Sequence, residues 1–208
     1  IFLLNFTTRT EQTLKNIKMN LINITKIAAA AALLSMAASC TSHNTLTKQE
    51  KADGWVLLFD GETTNGWRNF NSDNAELAWH VVDGCLQAKG VGDDANGYIV
   101  TDKEYENFIL SWDWKLSKGG NSGMLYHVVE HPKFNVPYVT GPEYQLIDVE
   151  GWEEAHAPTK LEEWQKIGVD YAMHLPDQSK MHINHGDWNN SVIVFDNGHV
   201  EHWLNGEK

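Results

Sequence analysis

Positive charge is scarce in this chain of 208 residues, where 16 Lys and Arg stand against 28 Asp and Glu. Four of those cations (Arg9, Lys15, Lys18, Lys26) and one anion (Glu11) precede Cys40, which leaves 12 against 27 beyond it, a net charge of about −15 with His neutral. A phosphate backbone is bound through a basic surface, so this balance excludes nucleic acid as a partner. Cysteine is equally sparse, with Cys40 and Cys85 alone, and rules out a small disulfide-stapled scaffold. Helical periodicity is nearly absent: only Pro158 to Lys166 reads as a helix, and a short one. The length suits a single well-filled domain once the first forty residues are set aside. Nine Trp and ten His are abundant by contrast, and aromatic faces beside polar groups suit sugar rings, with their apolar C–H faces and hydroxyl edges.

The one long apolar stretch lies near the start. After Met19 and Lys26 it runs from Ile27 to Ser39, too short to span a bilayer, and reads as a signal peptide. Ala37-Ala38-Ser39-Cys40 resembles a bacterial lipobox, in which the Cys thiol takes diacylglycerol and becomes the new N-terminus, so lipidation is expected at Cys40. The chain is then expected at the cell envelope, touching the membrane through the lipid anchor alone. Residues 1–18 lack an initiating Met and are expected to lie outside the fold. With Cys40 acylated, Cys85 has no partner in the chain and is expected to be a small core residue. Residues 40–53 are polar and read as a tether, leaving 54–208 as the domain.

Within the domain nearly everything reads as strand. Trp55-Val-Leu-Leu-Phe59 ends at Asp60-Gly61, and Trp79-His-Val-Val82 and Cys85-Leu-Gln-Ala88 flank Asp83-Gly84, a strong hairpin signal. Phe108, Leu110, Trp112, Trp114 and Leu116 alternate with Ile109, Ser111, Asp113 and Lys115, the period of a strand lying on a core. Val192 to Phe195 and His199 to Leu204 continue the pattern around Asp196-Asn197-Gly198. Many short strands at turn-punctuated spacing predict an all-β antiparallel sandwich or jelly roll. Leu204-Asn205-Gly206 is a further hairpin signal with only Glu207 and Lys208 after it, so C-terminal strands are expected to be missing, leaving an unpaired edge and an uncovered patch of core.

In Glu143-Tyr-Gln-Leu-Ile-Asp148, alternation puts Glu143, Gln145 and Ile147 on one face and Tyr144, Leu146 and Asp148 on the other. A carboxylate and an amide side by side make a poor core, so a wet site is the expected setting. Asn121, Gly123, Leu125 and His127 share a face of the preceding strand, which would bring His127 towards Glu143. No compact metal spacing such as His-Glu-x-x-His occurs, and His182-x-x-His185 falls in a polar loop.

Several blocks together resemble the 3-keto-disaccharide hydrolase family: Gly54 to Gly61 with Gly66-Trp67, Trp79 to Gly84, Gly97 to Thr101, Gly119-Gly-Asn-Ser-Gly-Met124, Gly141 to Asp148, His156 with Pro158-Thr-Lys160, Gly186-Asp-Trp-Asn189 and Val200 to Gly206. The resemblance implies a concanavalin-like jelly roll of two antiparallel sheets with a sugar site on the concave face. It also implies glycoside substrates whose C3 hydroxyl a partner sugar dehydrogenase has oxidised to a ketone. Two departures stand out: Ala157 and a Trp-containing stretch from Leu161 to Asp170 replace a shorter route to Tyr171, and the family's closing strands, with a His-Asp pair near the cleft, are absent.

A C3 ketone acidifies the C2 proton, so a base can remove it and the C1 aglycone can leave by elimination, after which water adds across the enone. Glu143 or His127 is expected to move the proton, with Gln145, Asn121 and Lys160 as polar positioners and Trp188 or Trp203 as a stacking platform. A divalent metal ion is the alternative holder of the enolate oxygen. Two rivals share these features. A laminarinase-type glucanase needs Glu-x-Asp-x-x-Glu, which fails because Leu146 occupies the first position; a non-catalytic sugar-binding module needs only the Trp and Asn residues.

Overall fold

The computed structural model describes residues 1–5, 44–74, 76–88 and 97–208. Eleven described strands run antiparallel wherever they pair, as the all-β reading requires. The central sheet has the order β11-β10-β7-β1-β2, built from β11 (His199–Leu204), β10 (Asn189–Asp196), β7 (Phe108–Trp114), β1 (Phe2–Asn5) and β2 (Trp55–Leu57). Against one face packs a second layer, the pair β8 (Asn121–Leu125) and β9 (Glu143–Ile147). Two further antiparallel pairs are β3 (Trp67–Asn69) with β6 (Ile99–Thr101), and β4 (Trp79–Val82) with β5 (Cys85–Ala88).

Alternation in β7 sorts the two faces as expected. Phe108, Leu110, Trp112 and Trp114 join Tyr144, Leu146, Ile193 and Leu204 in the inter-sheet core. Ile109 points the other way and is equally buried, in a smaller cluster with Leu4, Trp55, Val192 and Val194 against which Leu46 and Trp203 pack. The hairpin signals are also realised. Asp83-Gly84 and Asn197-Gly198 take positive φ at both central positions, the geometry that an Asx-Gly turn tolerates and that matches the twist of the flanking strands.

Four expectations are corrected. Residues 1–5 do not stand outside the fold: β1 lies between β7 and β2, with Leu3 buried in one core cluster and Leu4 in the other. Four residues suffice because pairing uses backbone groups and two successive leucines fill both faces. Cys85 is no isolated core thiol; it sits half-buried on a two-stranded hairpin and is disulfide-bonded, its partner lying outside the described residues. Cys40 and the signal-like stretch also lie outside them. The expected tether contains α1 (Lys48–Ala52), closed by a reciprocal Thr47–Glu50 capping box. Lastly, 158–166 holds only a 3₁₀ turn, Glu163–Gln165, while the true helix is α2 (Val149–Ala155), opened by Asp148, whose carboxylate accepts the Gly151 N–H. No helix among the described residues is long and apolar enough to cross a membrane.

Candidate active site

β9 separates two environments. Its inward residues, Tyr144 and Leu146, belong to the inter-sheet core, so Glu143 and Gln145 face away from the central sheet. On that outer face the register with β8 opposes Gly123 to Gln145 and Leu125 to Glu143. On its other edge β9 is extended by a third segment: the Tyr171 N–H donates to the Glu143 carbonyl (3.0 Å) and the Gln145 N–H to the Val169 carbonyl (3.1 Å). Tyr171 therefore opposes Glu143 and presents its ring to the same face.

The Glu143 side chain lies over Gly123. A Cβ there would come within 1.9 Å of Glu143 Oε1, so the glycine in mid-strand is the space in which the carboxylate rests. Half-buried, the carboxylate receives no hydrogen bond from any described residue, and burial alone pushes its pKa up to about 7. Tyr98 lies close enough for the carboxylate's charge to add to the effects of burial and of Tyr138 in raising its phenol pKa. The Tyr98 and Tyr138 rings meet edge to face with centroids 6.4 Å apart. Beside Glu143, Gln145 is buried and donates through Nε2 to the Gln165 carbonyl (3.2 Å), and Gln165 Nε2 reaches the Tyr171 hydroxyl (3.4 Å). The arrangement is a carboxyl group half ionised near neutrality, placed among tyrosines on an outward sheet face. Such a group is suited to taking and returning a proton.

Behind the strand, a chain of polar groups is paired, while Trp112 Nε1, beside the Tyr144 ring, has no partner among the described residues. Trp114 Nε1–H donates to Ser191 Oγ (2.9 Å), Ser191 Oγ to the Tyr144 hydroxyl (3.0 Å), and that hydroxyl to the Trp203 carbonyl (3.1 Å). His202 bridges the Tyr126 hydroxyl (3.3 Å) and the Gly168 carbonyl (3.2 Å), and burial pushes its pKa down, consistent with a neutral ring whose N–H serves the carbonyl.

The remaining sequence-predicted residues scatter. β8 ends at Leu125, and His127, at positive φ, leaves the strand's alternation to pack its exposed ring on Phe195 (4.0 Å) and Phe108 (5.9 Å) at the rim of the inter-sheet core; its expected approach to Glu143 is corrected. Asn121 keeps the face of Glu143 but opposes Ile147 at the far end of the pair. Lys160 is exposed and paired with Glu153 (2.6 Å). Trp188 lies beside Lys115 next to β10, and Trp203 packs on the opposite face of the central sheet, its indole N–H on Glu201, so the expected platform does not form there. Gln145, expected in a wet site, is covered by the Gln165 segment. His185 meets Asp148 (3.1 Å), whose carboxylate also takes the Gly119 and Gly151 N–H groups. Among the described residues no three His, Cys, Asp or Glu side chains gather into a metal-binding group. Sequence reasoning missed Tyr98, Tyr138, Tyr171 and Gln165 as neighbours of Glu143; a glycine in the middle of β8 was the one local sign of a close approach.

An all-β sandwich that carries a desolvated carboxyl group beside aromatic rings suits a glycoside-hydrolase-like domain, and comparison with known proteins supports that class. The sequence profile of the 3-keto-alpha-glucoside-1,2-lyase-like domain matches residues 54–208, and the chain belongs to that family. A 3-keto-disaccharide hydrolase of Bacteroides thetaiotaomicron is 31% identical over 169 residues, 75% of this chain and 57% of the relative, so the match spans little more than half of that protein. A crystal structure of a candidate glycosyl hydrolase from Parabacteroides distasonis superposes with a TM-score of 0.70 at 47% identity, covering 79% of this chain and 74% of that one. A second such structure from the same organism gives 0.51 at 29% identity, covering 69% and 70%.

Proposed function

We propose that the protein cleaves 3-keto-glycosides by elimination and hydration, with Glu143 as the group that moves the proton. The observation that supports this most is the setting of Glu143, a half-buried carboxyl resting over Gly123 with no hydrogen bond from any described residue, where burial pushes its pKa up to about 7 and so towards the range in which one group can act as base and then as acid. As carboxylate, Glu143 takes the C2 proton; the C2–H electron pair becomes the enolate, held on the C3 oxygen. The enolate then expels the aglycone oxygen from C1, leaving a C1–C2 double bond conjugated to the ketone. Water then adds across it: the protonated Glu143 returns its proton to C2, hydroxide joins C1, and the water's remaining proton replaces the one given to the departing aglycone oxygen. Tyr171 and Tyr98 present phenols on or near the same face, and we assign their hydroxyls as donors to the developing enolate or to the departing oxygen.

The substrate class follows from the family and from the name of the Bacteroides relative. The test offers wild-type protein and Glu143→Gln a glucoside and its 3-keto derivative, and reads aglycone release. Release from the keto form alone, lost in Glu143→Gln, is the expected result. Release from both substrates indicates a conventional glucanase, and binding without release a sugar-binding module; either overturns the reading.

A further inference from the structure

We infer that Trp164 and Tyr171 form the subsite for the leaving group, and that it is built for a flat apolar ring. The inference rests on Glu143 marking the reacting sugar. Tyr171 opposes Glu143 across the strand edge, and Trp164 meets the Tyr171 ring edge-on, 5.2 Å between centroids at 80°. Tyr171 lies on one edge of β9 and Gly123, which makes room for the Glu143 carboxylate, on the other, so the aromatic pair flanks the strand that carries the carboxylate.

The mounting is rigid. Trp164 sits in the 3₁₀ turn Glu163–Gln165, whose Glu162 and Gln165 cap one another, and its carbonyl accepts the Ala172 N–H (3.4 Å). Gln165 also ties the Tyr171 hydroxyl. Yet Trp164 is 40% exposed, and the turn that starts at Tyr171 adds Met173 at 63% and Leu175 at 61%. Exposing so much apolar surface on a fixed support marks a binding face.

The charges around it do not compete for a ligand, since Lys166 pairs with Glu163 and His174 with Asp170 (2.9 Å). A second sugar would need hydrogen-bonding partners along its hydroxyl edge, whereas an aromatic aglycone needs the apolar and aromatic area that this shelf offers.

The experiment measures binding by calorimetry, and turnover where it occurs, for phenyl 3-keto-glucoside and methyl 3-keto-glucoside. Wild-type protein, Trp164→Ala and Trp164→Phe are compared, each first shown to be folded by its thermal transition. Trp164→Ala is expected to weaken binding of the phenyl compound by about tenfold and to leave the methyl compound unchanged, with Trp164→Phe recovering most of the loss. Equal weakening of both ligands, or of neither, overturns the assignment, as does a wild-type protein that binds the two equally. Because binding is read directly, a wild-type protein that binds the phenyl ligand selectively yet releases no aglycone would sink the proposed reaction while leaving the subsite standing.

Discussion

The two faces of β9 are five residues of one strand in opposite states. Inward, Tyr144 is fully buried, and its hydroxyl both accepts from Ser191 and donates to Trp203, so the buried polar atom is fully partnered. Outward, Glu143 is half-buried with no hydrogen bond from any described residue. The inner face is not wholly satisfied either, since Trp112 Nε1, beside the Tyr144 ring, has no partner among the described residues, so what sets the outer face apart is that its unpartnered group is a carboxyl that can give and take a proton. The supporting groups divide the same way. Ser191 and Trp114 complete the inner network, whereas Gly123 contributes only room for the carboxylate.

The contrast breaks most sharply at Glu143→Gln, which keeps the shape and removes the titrating group: turnover of a 3-keto-glucoside should fall on the order of 10²- to 10⁴-fold in steady-state assays, with the fold intact. Gly123→Ala should come next. Its methyl group collides with the end of a flexible side chain and not with backbone, so Glu143 swings aside at little cost in stability. Activity should drop by about tenfold or more while the urea midpoint barely moves. Tyr144→Phe tests the other face, with the opposite signature. Losing the hydroxyl leaves Ser191 Oγ and the Trp203 carbonyl short of a partner, and stability should fall by about 1–3 kcal/mol in urea denaturation, with kcat close to wild type in the folded fraction.

The most gradual effect is on stability against pH. Because the folded-state pKa of Glu143 is pushed up from the ordinary 4.5 to about 7, the unfolded chain gives up this proton first. Its contribution is intact below about pH 4.5, declines as pH rises towards 7 and is constant above that. The stability difference between Glu143→Gln and wild type should accordingly grow in the variant's favour across this window, to on the order of 2 kcal/mol once partial solvent screening is allowed for. Over the same window kcat/KM should rise as the base form appears. A stability difference independent of pH would show that the carboxyl titrates as an ordinary exposed one.

Much of the fold was legible because its signals are local. Asp83-Gly84 and Asn197-Gly198 announce tight hairpins through backbone preferences that no distant contact needs to support, and β7 declares its core face by alternation over seven residues. The pairing of Glu143 and Gln145 on one face follows from the same period. Illegible were the matters of who arrives from elsewhere. His127 and Trp203 looked as well suited to sugar binding as Tyr171 and Trp164, and strand period says nothing about which side of a sheet another layer will cover. The N-terminal Phe2–Asn5 carries no turn or spacing cue that ties it to a slot between β2 and β7.

By itself, then, the sequence determined the class of fold, the hairpins and the outward projection of a carboxylate from β9, since each depends on dihedral preferences and a period of two within a few residues. Tertiary structure alone decided that the carboxylate would lie over Gly123, lose enough water to titrate near neutrality, and meet tyrosines from segments 28 to 45 residues away in the chain (Tyr98 at one end, Tyr171 at the other). Desolvation is a property of what surrounds a group, and those surroundings come into being only when distant segments close over it.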